Sequence, residues 1–504
     1  MSGKRPTDAD IVLLLEGTYP FVRGGVSSWV HQIIRNTPQR SFHLVFLGGD
    51  RRQRTERKYE LPDNVSALEE HYLFPPGDVP FRPRPGNAEA FERWTEFQRY
   101  FHAPDRAVPR TLLLEVLTLL DEPSAEGISE DDFLYSEAAW RSLVETSLEY
   151  YPEIPFTQFF WTYRNLYRPL LLLARIAKRL PRARIYHSVS TGYAGYLGAG
   201  LALLNGAPLL VSEHGIYTKE RFIDISQAEW IAEETPLISH SLTRAMGDLR
   251  RIWIRFFEQL GASSYEVATR ITSLYEGSRL RQLADGAPAP RTQVIPNGID
   301  LARFAPALAA RVPGNVPPVA ALIGRVVPIK DIKTFIRAIV QASAQLPALE
   351  GWVIGPFEED EGYHKECLQL VETLGVQQRV KFLGMQNVAE ILPQVGVNVL
   401  TSISEAQPLV LLEGMAAGVP FVATDVGSCR EIALGLRAED QDLGVAGEIV
   451  PIASPGRTAE SIVRLLSDPQ RWARYQAAGL ARVRAHYDEQ LMYERFHALF
   501  EELG

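Results

Sequence analysis

Residues Val395 to Thr424 read as one strand–helix–strand unit, and such a unit leaves a chain few folds to choose from. Val395-Gly396-Val397-Asn398-Val399-Leu400 is an apolar run with the length of a buried strand. Pro408 is expected as the first helical residue, because its fixed φ suits that position and its missing N–H is not needed there. The helix is predicted from Leu409 to about Ala417, with Gly418 as its stop, and Phe421-Val422-Ala423-Thr424 as the next strand. At the helix start the N–H groups of Leu409 and Val410 have no partner within the helix. They offer a place for an anion, best a phosphate. Glu405 lies on the loop before the helix and Glu413 one to two turns into it. A carboxylate therefore stands on either side, suited to hold hydroxyls.

The same alternation runs through most of the chain. Before that unit come strands at Val319–Ile323, Gly351–Gly355 and Val380–Gly384, with helices capped by Asp331, from Glu366 to Leu374, and from Val388 to Leu392. Earlier, Asp10–Leu15 is a strand, Glu16-Gly17-Thr18-Tyr19-Pro20 a loop, and Arg23-Gly24-Gly25 opens a helix near Val26. Strand, glycine turn and helix form the opening of a Rossmann-like domain. Ser41–Leu47 is the next strand, and there the sheet pattern stops. A charged run from Arg51 to Lys58 reads as a solvated loop, Pro75–Pro85 as irregular, and Glu89–Leu180 as mostly helical.

Alternation resumes at Arg184-Ile185-Tyr186-His187. The uncharged run between His187 and Glu213 mimics a membrane span, but the turn signal Asn205-Gly206-Ala207-Pro208 splits it into a buried helix and a strand. A helix around Thr243–Gln259, a strand near Ser264–Val267, a helix after Ser278 and a short strand Gln293–Ile295 follow. Pro306 and residues Val312–Pro318 read as a linker. The expected fold is α/β: two Rossmann-like parallel-sheet domains facing a cleft, with a largely helical insertion in the first. The domains are placed at 1–312, with the insertion at about 51–180, and at 313–468. Amphipathic helices at 469–504 are expected to cross back to the first domain.

Composition narrows the class. A chain of 504 residues exceeds one hydrophobic core. Its net charge of −9 argues against a nucleic-acid partner, which would need a basic footprint. Cys367 and Cys429 are the two cysteines, too few and too far apart for a disulfide framework or a zinc site. The polar N-terminus shows no signal-peptide pattern, and a cytoplasmic location is expected.

Ligands of doubly wound sheets bind at the carboxyl ends of the strands. Gly24-Gly25, His214, Asn297, Arg325, Lys330 and Glu405 all fall at such places. Seen singly, each has a plain structural explanation: a tight turn, a satisfied histidine, surface salt bridges, a capping pair. Together they suggest a nucleotide-sugar site, with Arg325 and Lys330 on one loop to neutralise a diphosphate.

Glu405 and Glu413 stand seven residues apart in Ser-Glu-Ala-Gln-Pro-Leu-Val-Leu-Leu-Glu-Gly-Met-Ala-Ala-Gly-Val-Pro. This resembles the E-x7-E motif of retaining glycosyltransferase family 4. Gly324-Arg325 with Lys330, Pro296-Asn297-Gly298-Ile299-Asp300 and Phe382-Leu383-Gly384 also stand where that family has them. The loop from Glu16 through Trp29, Glu213-His214-Gly215-Ile216-Tyr217 and the helical insertion resemble the narrower PelF group, which acts in Pel exopolysaccharide synthesis. The resemblance implies a GT-B fold, a UDP-sugar donor, a polysaccharide acceptor, membrane-embedded partner proteins that recruit the chain to the inner membrane face, and retention without a metal or other cofactor. It assigns Arg325 and Lys330 to the diphosphate, Glu405 to the donor sugar, Glu413 to the ribose, and Leu409 and Val410 to phosphate. His214 falls near the reacting sugar, Met385 at the base, and Gly24, Gly25 and Asn297 at acceptor or phosphate. Many relatives have Gly-Phe-Gly after the first glutamate. Here Ala406-Gln407-Pro408 stands instead, so donor preference is expected at Gln407-Pro408.

Two other readings share some of these features. A UDP-sugar 2-epimerase has the same architecture but gives no reason for the glutamate pair. A non-catalytic nucleotide-sugar-binding subunit of a synthesis complex would suit the aromatic-rich insertion. Asp8-Ala9-Asp10 and Asp440-Gln441-Asp442 match the letters of a metal-binding pair but sit at the wrong places.

Overall fold

The computed structural model describes residues 9–53, 56–74, 83–102, 107–121, 126–228, 247–436 and 438–504. Residues 75–82 and 243–246, which carry parts of the proline-rich stretch and of a predicted helix, lie outside them. The chain forms two units. The first comprises Met1–Ser273, Arg279–Gln293 and Phe496–Gly504, the second Leu274–Ser278 and Val294–Arg495. Residues 294–312, assigned by sequence to the first domain, thus pack with the second.

The first unit is built on strands β1 (Ala9–Glu16), β2 (Phe42–Gly48), β3 (Val65–Tyr72), β4 (Ala183–Ser188), β5 (Leu209–Glu213), β6 (Arg270–Ser273) and β7 (Thr292–Val294). Their order is β3-β2-β1-β4-β5-β6-β7, with β1 parallel to both β2 and β4. The central strands are buried on both faces, which is why they read as unbroken apolar runs. Strand order reverses between β1 and β4, and this is where a doubly wound sheet opens a crevice for ligands.

Three sequence expectations fail here. The sheet does not stop at Leu47, because β3 pairs with β2. As an edge strand carrying Ser66, Glu69, Glu70 and His71, β3 lacks the apolar run that marks its neighbours. The inserted helices therefore start at Ala88, well after residue 51. Ser264–Val267 is no strand: it ends a helix spanning Asp248–Val267, whose buried face includes Tyr265 and Val267, and the strand is β6. Pro306 lies inside a helix, Leu301–Ala309, capped by Asp300, so the linker begins later.

The second unit carries β8 (Val319–Ile323), β9 (Glu350–Ile354), β10 (Val380–Gly384), β11 (Val397–Leu400), β12 (Phe421–Thr424) and β13 (Gly447–Val450). Their order, β10-β9-β8-β11-β12-β13, repeats the first unit's pattern, with its own reversal between β8 and β11. All five neighbouring pairs are parallel. Asp331 caps the helix Ile332–Ser343 as expected, its carboxylate accepting from the Thr334 N–H at 3.2 Å. A helix at Pro469–His486 packs on this unit and brings in the fully buried Arg482. The last helix spans Glu489–Leu503, and its end packs with the first unit, where Phe496 lies edge-on to Trp29 and His497 Nε2 bonds to the Asn36 carbonyl at 2.7 Å. No helix among the described residues is long and apolar enough to cross a membrane. Both cysteines are free and buried.

Candidate functional site

The second unit gathers its candidates at the β8/β11 reversal. The loop after β8 runs from Gly324 to Asp331 and the loop after β11 from Thr401 to Pro408. They are stitched together: Ile403 N–H donates to the Ile329 carbonyl at 2.9 Å, and Thr401 Oγ1 donates to the Lys330 carbonyl at 2.9 Å. Across this seam Lys330 Nζ meets Glu405 Oε1 at 2.5 Å, with side-chain exposures of 19 % and 15 %. A ligand that takes up the ammonium must separate this half-sheltered pair. Arg325 sits on the same loop but turns outward, to Glu359 at 2.5 and 2.7 Å. Both partners are about half exposed, so the pair contributes little and releases the guanidinium easily.

The helix Leu409–Ala416 starts one residue later than expected. Pro408 is its N-cap and its carbonyl accepts from the Leu411 N–H at 3.1 Å. No side chain caps this start, and the N–H groups of Leu409 and Val410 keep the unpaired positions that helix geometry gives them. Gly418, at φ 71, closes the helix. Glu413 is partly buried on it. Burial raises its pKa, opposed by the nearby charge of Arg303, and no described group hydrogen-bonds its carboxylate. The loop bearing Glu405 is pressed against Gly427 (φ 53), where a Cβ would lie 2.2 Å from the Ala406 carbonyl oxygen. The Cys429 thiol beneath is pushed up to about 12, first by burial and then by the charge of Glu405.

One site expectation changes. Gln407 does not face a ligand. Its Oε1 accepts from the Asn297 N–H at 2.8 Å, and its Nε2 donates to the Asn297 carbonyl at 3.2 Å. Both ends of the amide are consumed in bracing Asn297, so donor preference is not read there. Met385 is 72 % exposed at the end of the edge strand β10, two strands out from β8.

In the first unit, Gly24 is the N-cap of the helix Gly25–Arg35. A Cβ at Gly24 or Gly25 would meet nothing within 4 Å, so the chain's own packing does not demand glycine there. His214 follows β5 and lies edge-on to Trp29, ring centroids 4.4 Å apart. It lines a cavity of about 870 Å³ at the ends of β1, β4 and β5, with Glu16, Thr18, Ser190, Tyr193 and Tyr217. Glu16 accepts from the Tyr217 hydroxyl at 2.7 Å and from the Ala194 N–H at 3.1 Å, at the start of the helix Tyr193–Asn205. Gly192 makes this possible, since a Cβ there would lie 2.3 Å from the Tyr217 ring and 2.7 Å from Glu16 Oε2. Glu213, by contrast, is held by Thr191, Tyr217, Tyr265 and Gln282 and is structural.

Burial lowers the pKa of His214 to about 4, and that of His187 to about 3, where burial is joined by the charge of His214. His187 is fully buried, with Nε2 bonded to Ser212 Oγ at 2.8 Å. Both folded values lie below the unfolded one near 6.5. The unfolded chain then takes up protons that the folded chain refuses. Stability is full above about pH 6.5 and falls as pH drops toward 4, by on the order of a few kcal/mol. His187→Gln keeps the Ser212 bond and removes one titration, so its melting temperature should fall less over this window than wild type. Parallel losses in the two proteins would contradict the assignment.

Sequence reasoning missed Glu359 as the partner of Arg325, and Tyr193 and Thr18 in the first unit's cavity. They are brought to their places from distant parts of the chain, and no local spacing marks them.

Residues 317–468 match the family described as Glycosyl transferases group 1, and residues 9–290, more than half of the chain, match the family described as Domain of unknown function (DUF3492). The chain belongs to the DUF3492 family. Its second unit carries a group 1 glycosyl transferase domain. Among curated proteins it is similar to a D-inositol 3-phosphate glycosyltransferase of Nocardia farcinica, 28 % identical over 49 % of this chain and 54 % of that protein. A GDP-mannose-dependent monoacylated alpha-(1-6)-phosphatidylinositol monomannoside mannosyltransferase of Corynebacterium glutamicum is 29 % identical over 41 % of this chain and 55 % of that protein. The chain thus spans about half the length of these relatives. Two solved structures share its fold: Anabaena Alr3699/HepE in complex with UDP (TM-score 0.57, 16 % identity, 98 % of this chain, 100 % of that one) and a sucrose-phosphate synthase from Thermosynechococcus elongatus (TM-score 0.56, 17 % identity, 98 % of this chain, 99 % of that one). Two Rossmann-like parallel-sheet domains with an added helical layer in the first make this a GT-B fold.

Proposed function

We propose that this chain is a retaining, metal-independent glycosyltransferase that moves a sugar from a UDP-sugar, UDP-glucose or a UDP-N-acetylhexosamine, to a growing exopolysaccharide. The observation that carries this reading is the Lys330–Glu405 pair across the β8/β11 seam, beside the uncapped start of the Leu409–Ala416 helix. Lys330, the released Arg325 and the N–H groups of Leu409 and Val410 meet the diphosphate and the charge that grows on it as the glycosidic bond breaks. Freed from Lys330, Glu405 accepts hydrogen bonds from the donor sugar, and the unpaired Glu413 holds the ribose. Met385, exposed beyond β10, borders the base. In the first unit Gly24 and Gly25 take acceptor or phosphate at a helix start. His214, neutral near pH 7 because burial holds its pKa at about 4, acts at the reacting sugar without adding charge. Asn297 keeps a buried, unpartnered Oδ1 for the same ligands.

The residues around Glu16–Trp29 and Glu213–Tyr217 support membership of the PelF group, with action on Pel polysaccharide, in the cytoplasm, beside membrane-embedded synthesis proteins. Relatives use different nucleotides: the Corynebacterium protein is GDP-mannose-dependent, the Anabaena structure holds UDP. Incubating the purified chain with UDP-glucose, UDP-N-acetylhexosamines and GDP-mannose, with nucleotide release and product anomer read by NMR, tests the proposal. Release of UDP with the donor's anomeric configuration kept is the expected result. Turnover of GDP-mannose alone, or an inverted product, would overturn it.

A further inference from the structure

We infer that Gln407 is a positioning residue for the Glu405 carboxylate. Its side-chain amide locks the Glu405 loop to the turn Pro296–Asp300, and through that lock it governs the rate of sugar transfer without touching the nucleotide. The inference rests on the proposed transfer and concerns the same site. Gln407 is 8 % exposed and lies two residues after Glu405. Its Oε1 accepts from the N–H of Asn297 and its Nε2 donates to the carbonyl of the same residue, at 2.8 and 3.2 Å. Two peptide groups of an antiparallel sheet exchange bonds in this way across a hydrogen-bonded pair. The side chain thus stands in for a neighbouring strand. It cannot turn to another partner without stranding the Asn297 backbone groups, which is costly for groups sheltered from water.

The turn that Gln407 grips is itself anchored. The Ile299 N–H donates to the Tyr487 carbonyl at 2.9 Å, and the Ile299 carbonyl accepts from the Glu489 N–H at 3.1 Å. Gly298 packs so closely that a Cβ there would stand 2.3 Å from Glu489 Cα. Next to Gln407, the Ala406 carbonyl accepts from the Ser428 N–H at 2.8 Å. The two residues after Glu405 are therefore each tied to a separately held segment. Lys330 holds the Glu405 carboxylate only while no diphosphate competes for the ammonium. Once a diphosphate takes Lys330, the carboxylate keeps its place through the backbone of its loop, and there the Gln407 lock matters most. A group misplaced by about 1 Å costs on the order of 100-fold in rate. The diphosphate contacts do not pass through this lock. Lys330 lies on the other loop, and Leu409 and Val410 open a helix anchored by the buried Leu411, Leu412 and Met415.

Gln407→Met in the full chain tests this, since it keeps the length of the side chain and removes both bonds. The kcat for UDP release from the UDP-sugar that wild type turns over should fall about 10- to 100-fold, while UDP affinity by calorimetry stays within about threefold. Damage to the whole seam would weaken both together. Hydrogen exchange at the Asn297 N–H should quicken, because its acceptor is gone. Gln407→Glu keeps that acceptor and loses only the donor. It should leave the Asn297 N–H protected and lie between wild type and Gln407→Met in kcat, and it carries the test alone if Gln407→Met does not fold. An unchanged kcat in Gln407→Met, equal losses of kcat and UDP affinity, unaltered exchange at Asn297, or Gln407→Glu at the wild-type kcat would overturn the role given to Gln407. A wild type that releases no UDP from any UDP-sugar would overturn the transfer itself, and the Asn297 exchange would still report the lock.

Discussion

Lys330→Ala should lower affinity for UDP about 10- to 100-fold, the loss of one charge-assisted contact to a diphosphate. The residue's stem runs back over Gly324, where a Cβ would lie 3.6 Å from Lys330 Cε, so the ammonium is held at the seam and not free to wander. Its partner Glu405 has the opposite expected effect on the nucleotide. Glu405→Gln removes a carboxylate that competes for Lys330 and repels phosphate. UDP should therefore bind as tightly as to wild type or tighter, while sugar transfer is lost because the carboxylate no longer holds the donor sugar. The opposite signs make the pair informative. If both substitutions weakened UDP equally, Glu405 would be a plain structural anchor and its assignment to the sugar would fail. Calorimetry gives the affinities, and UDP release gives the turnover.

Arg482→Met should destabilise the second unit by roughly 3–5 kcal/mol, the cost of leaving a sheltered charge and its acceptors unpaired. Arg482 is fully buried. It donates to Asp440 Oδ1 at 2.7 Å and to the carbonyls of Ile432, Ala433, Asp440 and Gly444 at 2.7 to 3.2 Å. One side chain thus ties the Pro469–His486 helix to the turns that follow β12. Methionine fills the stem's volume but strands these oxygens away from water. The urea midpoint of the full chain, followed by fluorescence, reports the loss. A midpoint within error of wild type would mean that water reaches these groups and that burial is not what makes Arg482 matter. Asp440 thus serves as a structural acceptor for the Arg482 guanidinium.

The second unit was legible almost strand by strand. Its strands are buried on both faces and its loops are short, so apolar runs and turn residues coincide with the elements. Glu405, Lys330 and the helix start could be placed together because each follows directly from the strand before it. What escaped were pairings across long stretches of chain. Gln407 reads as a ligand contact by position, yet it reaches back 110 residues to Asn297. Arg325 is drawn to Glu359, 34 residues on. Edge geometry hid β3, whose half-buried positions carry polar residues where a central strand would carry valine or leucine. The first unit's cavity escaped for the same reason as Gln407. Thr18, Ser190 and Arg221 converge through three separate strand ends, and only His214 and the Glu16 loop stand out in sequence.

The central claim is that the β8/β11 reversal holds a nucleotide diphosphate. A crystal structure of the chain grown with UDP tests it most directly. The account predicts the diphosphate against the N–H groups of Leu409 and Val410, with Lys330 Nζ moved from Glu405 to a phosphate oxygen and Glu413 on the ribose. UDP bound elsewhere, with the Lys330–Glu405 pair intact, would contradict it.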